Sequence, residues 1–216
     1  LKVEHFYDIG AHYGNIGIPA SVEYNFKSVH MYEPNLQNYE ILNINSLINN
    51  RSNLFTYNYL IGDKEEISKF YIFKNNTAAS IISNNEQFIN KYIKLNNLEI
   101  DEVQSLKQVN FDDVINVVPE NSLFWLFCQG EEIGILNSSK ILKQKSVICF
   151  HYSPLINSKG SSQEELLVKN LNENNYKKIY DLKENHNVSK EISVNTFQNL
   201  NEKYKSNGSH TILTVI

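Results

Sequence analysis

The sequence predicts an α/β domain built around a largely parallel sheet. Short apolar runs alternate with longer segments whose apolar residues recur at helical spacing, and a glycine-containing loop follows the first run directly. This alternation is typical of repeated strand-helix-strand units. With 216 residues, of which 41% are hydrophobic, the chain can bury a full core in one domain.

The predicted elements follow one another in a regular order. Strands are expected at 3–9, 28–33, 53–61, 69–74, 122–128, 146–152, 176–181 and 210–216. Helices are expected at 14–25, 35–49, 84–96, 131–143 and 161–174. The run at 69–74 is predicted to form an antiparallel edge hairpin with the end of the preceding strand. The sequence shows no internal repeat and no linker rich in Pro, Gly or Ser, so we expect one domain over residues 1–216.

Composition excludes several classes of protein. The formal net charge is −4 with both signs dispersed, which leaves no basic face for nucleic acid. No apolar run approaches the roughly 20 residues of a membrane span, and no leader pattern opens the sequence, so we expect a cytoplasmic protein without a membrane partner. Cys128 and Cys149 lie in apolar runs, which favours buried thiols over a disulfide. Because Leu1 stands just before a core strand, we expect a domain of a longer chain.

The loop after the first strand reads Asp8-Ile9-Gly10-Ala11-His12-Tyr13-Gly14. Its glycines permit a tight turn before a helix, at the sheet edge where open parallel sheets bind ligands. The dinucleotide pattern G-x-G-x-x-G is missing, and an acidic residue two positions before the first glycine suits a cationic ligand better than a pyrophosphate.

A second acidic residue, Glu33, ends the second strand just before Pro34, which stops that strand, and Asn35, which is placed to cap the next helix. Its carboxylate is positioned to accept both hydroxyls of a ribose. Together with Asp8 it indicates an S-adenosylmethionine site. Asp63, after the third strand, is placed to reach the adenine edge, or is a plain turn residue.

At this point the sequence resembles the FkbM family of S-adenosylmethionine-dependent methyltransferases over residues 5 to about 154. The resemblance is carried by "FYDIGAHYGNIGI", "VHMYEPNLQNYEILNINSLINN", "YLIGDKEE", "NNTAASI", "VNFDDVI" and "FCQGEEIGIL". It implies a class I methyltransferase (Rossmann-like) fold, doubly wound, with a mostly parallel seven-stranded sheet and helices on both faces. It also implies methyl transfer, usually to an oxygen.

The motifs and the resemblance together assign site residues. We expect cofactor contacts from Asp8, Gly10, His12, Gly14, Asn15, Glu33, Pro34, Asp63 and Gln129. We expect substrate contacts from Asn76, Ser80 and Tyr152, and no metal ligand.

Two positions depart from the family pattern. Phe127 stands where relatives usually carry an aspartate, and a phenylalanine can neither take a proton nor bind a metal. His151 stands near a position where relatives often carry a glutamate. We consider His151 as the base or as a structural histidine, and His12 as another base or as a loop-shaping residue. Glu132 is expected to orient a hydroxyl, or only to interact with a helix dipole.

The sequence thus predicts an S-adenosylmethionine-dependent methyltransferase acting on a small hydroxylated or sugar-like acceptor. The alternative is a catalytically degenerate domain that serves as a binding or scaffolding module in a larger protein, which the change at Phe127 would explain. A nicotinamide-dependent oxidoreductase is disfavoured by the missing glycine pattern.

Overall fold

The computed structural model describes residues 2–115, 117–144, 146–156, 161–182, 190–207 and 211–215. Its strands are β1 His5–Ile9, β2 Ser28–Tyr32, β3 Leu54–Tyr57, β4 Leu60–Gly62, β5 Glu66–Phe73, β6 Ile81–Ile82, β7 Ile100–Asn110, β8 Ser122–Leu126, β9 Val147–Tyr152, β10 Lys178–Asp181, β11 Lys190–Ser193 and β12 Thr211–Val215. Its helices are α1 Gly17–Glu23, α2 Leu36–Asn49, α3 Glu86–Asn96, α4 Phe111–Val114, α5 Glu132–Ser138, α6 Ser161–Glu173 and α7 Phe197–Asn207.

The main sheet confirms the α/β prediction. Its strands lie in the order β11-β10-β12-β9-β8-β1-β2-β3, and the five strands from β9 to β3 are parallel. β12 runs antiparallel to both of its neighbours. The described part of this sheet has eight strands instead of the seven expected. The additional edge strand, β11, reads Lys-Glu-Ile-Ser and therefore lacks the apolar run that marks a strand.

A second sheet of four strands, in the order β4-β7-β5-β6, corrects two predictions. The run at 53–61 is two strands in different sheets, and the run at 69–74 belongs to β5, which pairs with β6 and β7 and not with the preceding strand. β7 was not predicted because most of its side chains are polar and exposed. The break between the sheets is at Asn58, whose Nδ2 donates to the carbonyl oxygens of Glu33 (2.8 Å) and Pro34 (3.0 Å).

The helices follow the predicted order with shorter bounds. α1 begins at Gly17 because the loop after β1 extends to residue 16. Asn35 caps α2 as expected, with its side chain accepting from the Asn38 N–H at 2.9 Å. The helix predicted over 131–143 is α5 followed by a 3-10 turn at Ile141–Gln144, and α7 was not predicted. No helix in the described ranges is both long and apolar enough to cross a bilayer.

The core lies on both faces of the central strands. Tyr7 of β1 stacks on the Phe124 ring of β8 with centroids 4.9 Å apart, and Phe111 meets Phe124 edge-on at 5.6 Å. Both cysteines are free thiols, with Cys149 buried as expected and Cys128 partly exposed. The apolar centre fixes β1 beside β8, so the loops that follow these two strands meet.

Phe124→Ala tests this core. Phe124 is fully buried, so its truncation should lower the free energy of unfolding by about 3–5 kcal/mol in urea titrations. Phe55→Ala is the matched control, because Phe55 is 42% exposed on edge strand β3, and it should cost less than about 1 kcal/mol. Equal losses for the two variants would contradict this packing.

Candidate active site

A cavity of about 370 Å³ opens at the carboxyl ends of β1, β2 and β8. The segment between β5 and β6 forms a further wall. Most of the lining is apolar, and the polar groups come from the loops that follow the strands. The lining comprises Asp8, Ile9, Gly10, Ala11, His12, Asn15, Ile16, Tyr32, Glu33, Pro34, Asn38, Tyr59, Leu60, Ile61, Phe70, Thr77, Ala78, Ser80, Ile82, Trp125, Phe127, Cys128 and Gln129.

The loop after β1 packs directly on the loop after β8. Gly10 has φ +90°, and a Cβ at this position would collide with the carbonyl oxygen of Phe127. Only glycine therefore permits this backbone approach. Gly14 lies outside the cavity lining and faces Ile18 and Leu42, so it serves the packing of α1 against α2.

Asp8 lies at the floor of the cavity with its side chain almost fully buried. Its Oδ2 accepts from the Gly17 N–H at 3.0 Å, at the start of α1. Burial raises the pKa of Asp8 to about 7, against the lowering effect of that hydrogen bond, and the nearby Glu33 adds to the rise.

Glu33 lies at the end of β2 and binds three groups of the protein itself. Its Oε2 accepts from the His12 N–H (2.9 Å), and its Oε1 accepts from the N–H of Asn35 (2.9 Å) and Nδ2 of Asn38 (3.3 Å). A carboxylate offers about four acceptor positions, so about one is left for a ligand. The expected pairing with both hydroxyls of a ribose is thus reduced to one. Burial raises the pKa of Glu33 to about 7.

Four other expected site residues line the same cavity: Asn15, Pro34, Ser80 and Gln129. Gln129 has φ +53°, and its Nε2 donates to the carbonyl oxygen of Ala78 at 3.1 Å. This bond links the loop after β8 to the wall between β5 and β6.

Besides Gly14, three expected contacts lie elsewhere. Asp63 lines a different cavity, where its Oδ1 accepts from Gln108 Nε2 at 3.2 Å. Asn76 is exposed and begins the turn that carries Thr77. Tyr152 is fully buried and donates to Glu164 Oε1 at 2.9 Å, so its role is in the core.

The two expected catalytic residues lie behind the cavity wall. Glu132 is fully buried, and it accepts from the N–H groups of Cys128 (2.9 Å) and Gly130 (2.8 Å). Gln129 and Gly130 both have positive φ, and the N–H groups of Cys128 and Gly130 point inward. Buried N–H groups need an acceptor. Glu132 therefore holds the loop instead of orienting a hydroxyl.

His151 is separated from the cavity by an aromatic ring. Its Nδ1 lies 3.8 Å from Glu132 Oε1, and its ring lies 4.7 Å from that of Phe127, which does line the cavity. Of the residues that the structure describes, neither His151 nor Glu132 belongs to the lining. The expected role of His151 as a base at this cavity is therefore not supported by its position.

His12 is the candidate base that lies on the cavity. Its Nε2 forms a hydrogen bond with Thr77 Oγ1 at 2.9 Å, and its Nδ1 is buried without a partner among the described residues. Burial lowers the pKa of His12, which favours the neutral form of the ring.

Trp125, an aromatic residue of the lining, was not predicted as a site residue, and Phe127 was singled out only as a departure from the family pattern. Trp125 and Phe127 stack with centroids 6.1 Å apart and an interplanar angle of 7°. Trp125 lies in β8 and Phe127 follows its last residue, Leu126, so their spacing of two residues places both on one face, and this was the available signal. Leu60 of β4 and Phe70 of β5 were missed because they belong to the second sheet, and Tyr59 directly precedes that sheet.

Asp8→Asn tests the electrostatics of the site. A raised pKa means that the folded state binds more protons than the unfolded state between about pH 4 and pH 7, so stability falls as pH rises through this window. Asparagine removes this dependence and keeps an acceptor for Gly17. We therefore compare the free energy of unfolding of the variant with that of wild type in urea titrations. This difference should be on the order of 2 kcal/mol more favourable to the variant at pH 8 than at pH 5.

The control is Asp101→Asn, which removes an exposed carboxylate on β7. It should leave the pH profile of stability unchanged. Parallel profiles for Asp8→Asn and wild type would contradict the raised pKa.

Comparisons with known proteins bear on the fold. No family model matches the sequence, and no curated protein matches it. The structure is similar to methyltransferase FkbM from Methylobacillus flagellatus KT, with a TM-score of 0.54 and 15% identity, over 99% of this chain and 44% of that chain. This chain thus spans less than half of that protein.

Two further structures are similar at lower scores. Precorrin-6y C5,15-methyltransferase from Geobacter metallireducens GS-15 has a TM-score of 0.44 and 11% identity, over 100% of this chain and 81% of that one. Haemonchus contortus phosphoethanolamine N-methyltransferase 2, in complex with S-adenosyl-L-methionine, has a TM-score of 0.43 and 8% identity, over 99% of this chain and 48% of that one. On the first of the three similarities, the chain has the class I methyltransferase fold, as found in an FkbM methyltransferase.

Proposed function

We propose that this chain is an S-adenosylmethionine-dependent methyltransferase that acts on an oxygen of a small hydroxylated or sugar-like acceptor. The observation that carries the proposal is the pair of buried carboxylates, Asp8 and Glu33, at the ends of adjacent parallel strands on one cavity. In an open parallel sheet this edge is where ligands bind.

The lining fits the parts of S-adenosylmethionine. Glu33 retains about one acceptor position for a ribose hydroxyl. Pro34, Leu60 and Ile61 offer an apolar wall against which an adenine ring can pack, and we assign the adenine to this wall instead of to Asp63. When ionised, the carboxylates of Asp8 and Glu33 give the cavity a negative potential that favours a sulfonium cation.

The chemistry requires a donor, an acceptor and a base. When bound, S-adenosylmethionine supplies the methyl group: its carbon–sulfur bond breaks as the carbon–oxygen bond forms, and the sulfur leaves as a neutral thioether. The acceptor hydroxyl loses its proton, and we assign His12 to receive it because its neutral ring lies on the cavity. The rest of the catalysis is positioning of the hydroxyl in line with the methyl group.

The alternative function is a degenerate domain that binds without catalysis. The observation that favours it is Phe127, whose ring lines the cavity where the family pattern has an aspartate. In that case the cavity would still bind the cofactor, but no acceptor would be methylated.

Calorimetric titration with S-adenosylmethionine and S-adenosylhomocysteine tests the cofactor. Wild type should bind both, and Glu33→Ala should weaken binding at least about tenfold because a charged acceptor is lost. Glu40→Ala is the matched control, since Glu40 is exposed on α2, and it should bind as wild type does. Thermal unfolding of each variant confirms that it is folded. Absence of binding by wild type would overturn the proposal.

His12→Asn tests the base. Asparagine tolerates positive φ, and His12 has φ +52°, so the loop should keep its shape. We expect the affinity for S-adenosylhomocysteine to change less than about threefold. The rate at which the variant methylates a hydroxyl compound that wild type accepts should fall roughly 10²–10⁴-fold. Unchanged turnover would remove His12 from the mechanism, and absence of turnover in wild type across a broad hydroxyl panel would favour the degenerate domain.

A further inference from the structure

A second cavity, of about 450 Å³, lies beside the first. The two share Gln129 and Ile82 in their linings, so a ligand in one would adjoin a ligand in the other. The second cavity is bounded by the four-stranded sheet, the link from β6 to α3 and the loop after β8. Gln129 lies at the boundary, where its side chain is bonded to Ala78.

The sheet wall of this cavity carries a buried polar chain of hydrogen bonds. Ser68 of β5 and Gln108 of β7 are each 1% exposed. Ser68 Oγ lies 3.3 Å from both Gln108 Oε1 and Glu66 Oε1 and can donate its one proton to either, and Gln108 Nε2 donates to Asp63 Oδ1 at 3.2 Å. Both side chains have hydrogen-bonding capacity beyond these bonds.

A glycine makes room for this arrangement. A Cβ at Gly62 of β4 would collide with the side-chain amide of Gln108, so the amide lies directly over the backbone of the neighbouring strand. Burying an amide and a hydroxyl on a sheet face is less favourable than burying aliphatic residues, unless their remaining groups are satisfied. Ser68 and Gln108 both belong to the lining of the second cavity, so this wall is polar where aliphatic packing would be more usual.

The charges of the lining limit what that ligand is. Among the described residues of the lining there are three carboxylates, Asp63, Glu66 and Glu131, and one ammonium, Lys64, whose Nζ lies 2.9 Å from Glu66 Oε2. This balance repels a phosphate or a carboxylate. Hydroxyl groups, in contrast, can donate to the carboxylates and accept from the amide.

We propose that the second cavity binds the methyl acceptor and that this acceptor is a polyhydroxylated molecule without negative charge. This proposal rests on the proposed methyl transfer, which places the methyl donor in the first cavity. The reacting hydroxyl of the acceptor extends past Gln129 into that cavity. Its oxygen forms the bond to the methyl carbon as the carbon–sulfur bond breaks, and its proton goes to His12. The same lining selects against sugar phosphates and nucleotide sugars.

Binding of small probes tests the site directly. The probes are methyl glycosides of glucose, galactose, mannose and fucose, together with myo-inositol and the 6-phosphates of glucose and galactose. We expect ligand-observed NMR, with and without S-adenosylhomocysteine, to detect at least one uncharged probe and to show at least about tenfold weaker binding of the phosphates. Binding of no uncharged probe, or preference for the phosphates, would overturn the proposal.

Variants locate the binding. Gln108→Leu should weaken the bound probe at least about tenfold and leave the affinity for S-adenosylhomocysteine within about twofold of wild type. Gln104→Leu makes the same chemical change on the same strand outside the cavity and should alter neither. If Gln108→Leu does not fold, Ser68→Ala takes its place as the test, because it is the smaller change in the same wall. Unchanged probe binding in both Gln108→Leu and Ser68→Ala would contradict the assigned wall.

The two proposals fail in different ways. If S-adenosylhomocysteine does not bind but an uncharged probe does, and Gln108→Leu removes it, the proposed methyl transfer is wrong and the polyol site stands. If S-adenosylhomocysteine binds and no uncharged probe does, the polyol site is wrong and the cofactor site stands.

Discussion

The architecture of the site depends on buried carboxylates that hold loop backbone in place. Glu33 binds the N–H groups of His12 and Asn35, and so joins the loop after β1 to the start of α2. Glu132 does the same for the loop after β8 by accepting from Cys128 and Gly130. Charged acceptors of backbone N–H groups form stronger hydrogen bonds than neutral ones, so each carboxylate offsets part of its own burial.

This arrangement has an electrostatic consequence for the cavity. Asp8 and Glu33 stay buried, and burial raises the pKa of each to about 7, so both titrate near neutral pH. A cationic ligand would favour the ionised forms and would therefore release protons as it binds. An anionic ligand would be repelled by the ionised carboxylates and would favour their protonated forms instead. The cavity therefore suits a sulfonium better than a pyrophosphate.

Some parts of the structure were predictable because they depend on local patterns. Asp8 and Glu33 follow apolar runs directly, and parallel strands bring such ends to one edge. Glu132 and His151 were expected at the cavity but lie behind it: Glu132 accepts from N–H groups of the loop in which Gln129 has positive φ, and Phe127 lies between His151 and the cavity. A positive φ at a glutamine cannot be predicted from the sequence. β7 was missed for a related reason, since its polar and exposed side chains follow neither a strand nor a helix pattern.

The break at Asn58 separates the parallel sheet from the second sheet, which contributes residues to both cavities. The chain leaves the parallel sheet after β3 and enters the second sheet at β4, and the Asn58 amide fixes this crossing to the backbone of Glu33 and Pro34. The crossing thus stays next to the acidic residue, whatever side chains the second sheet carries. During evolution, β5 and β7 can therefore exchange the residues that face the second cavity while the carboxylates of the parallel sheet remain in place. A protein divided in this way can change the polar groups of its second cavity and keep the carboxylates of its first.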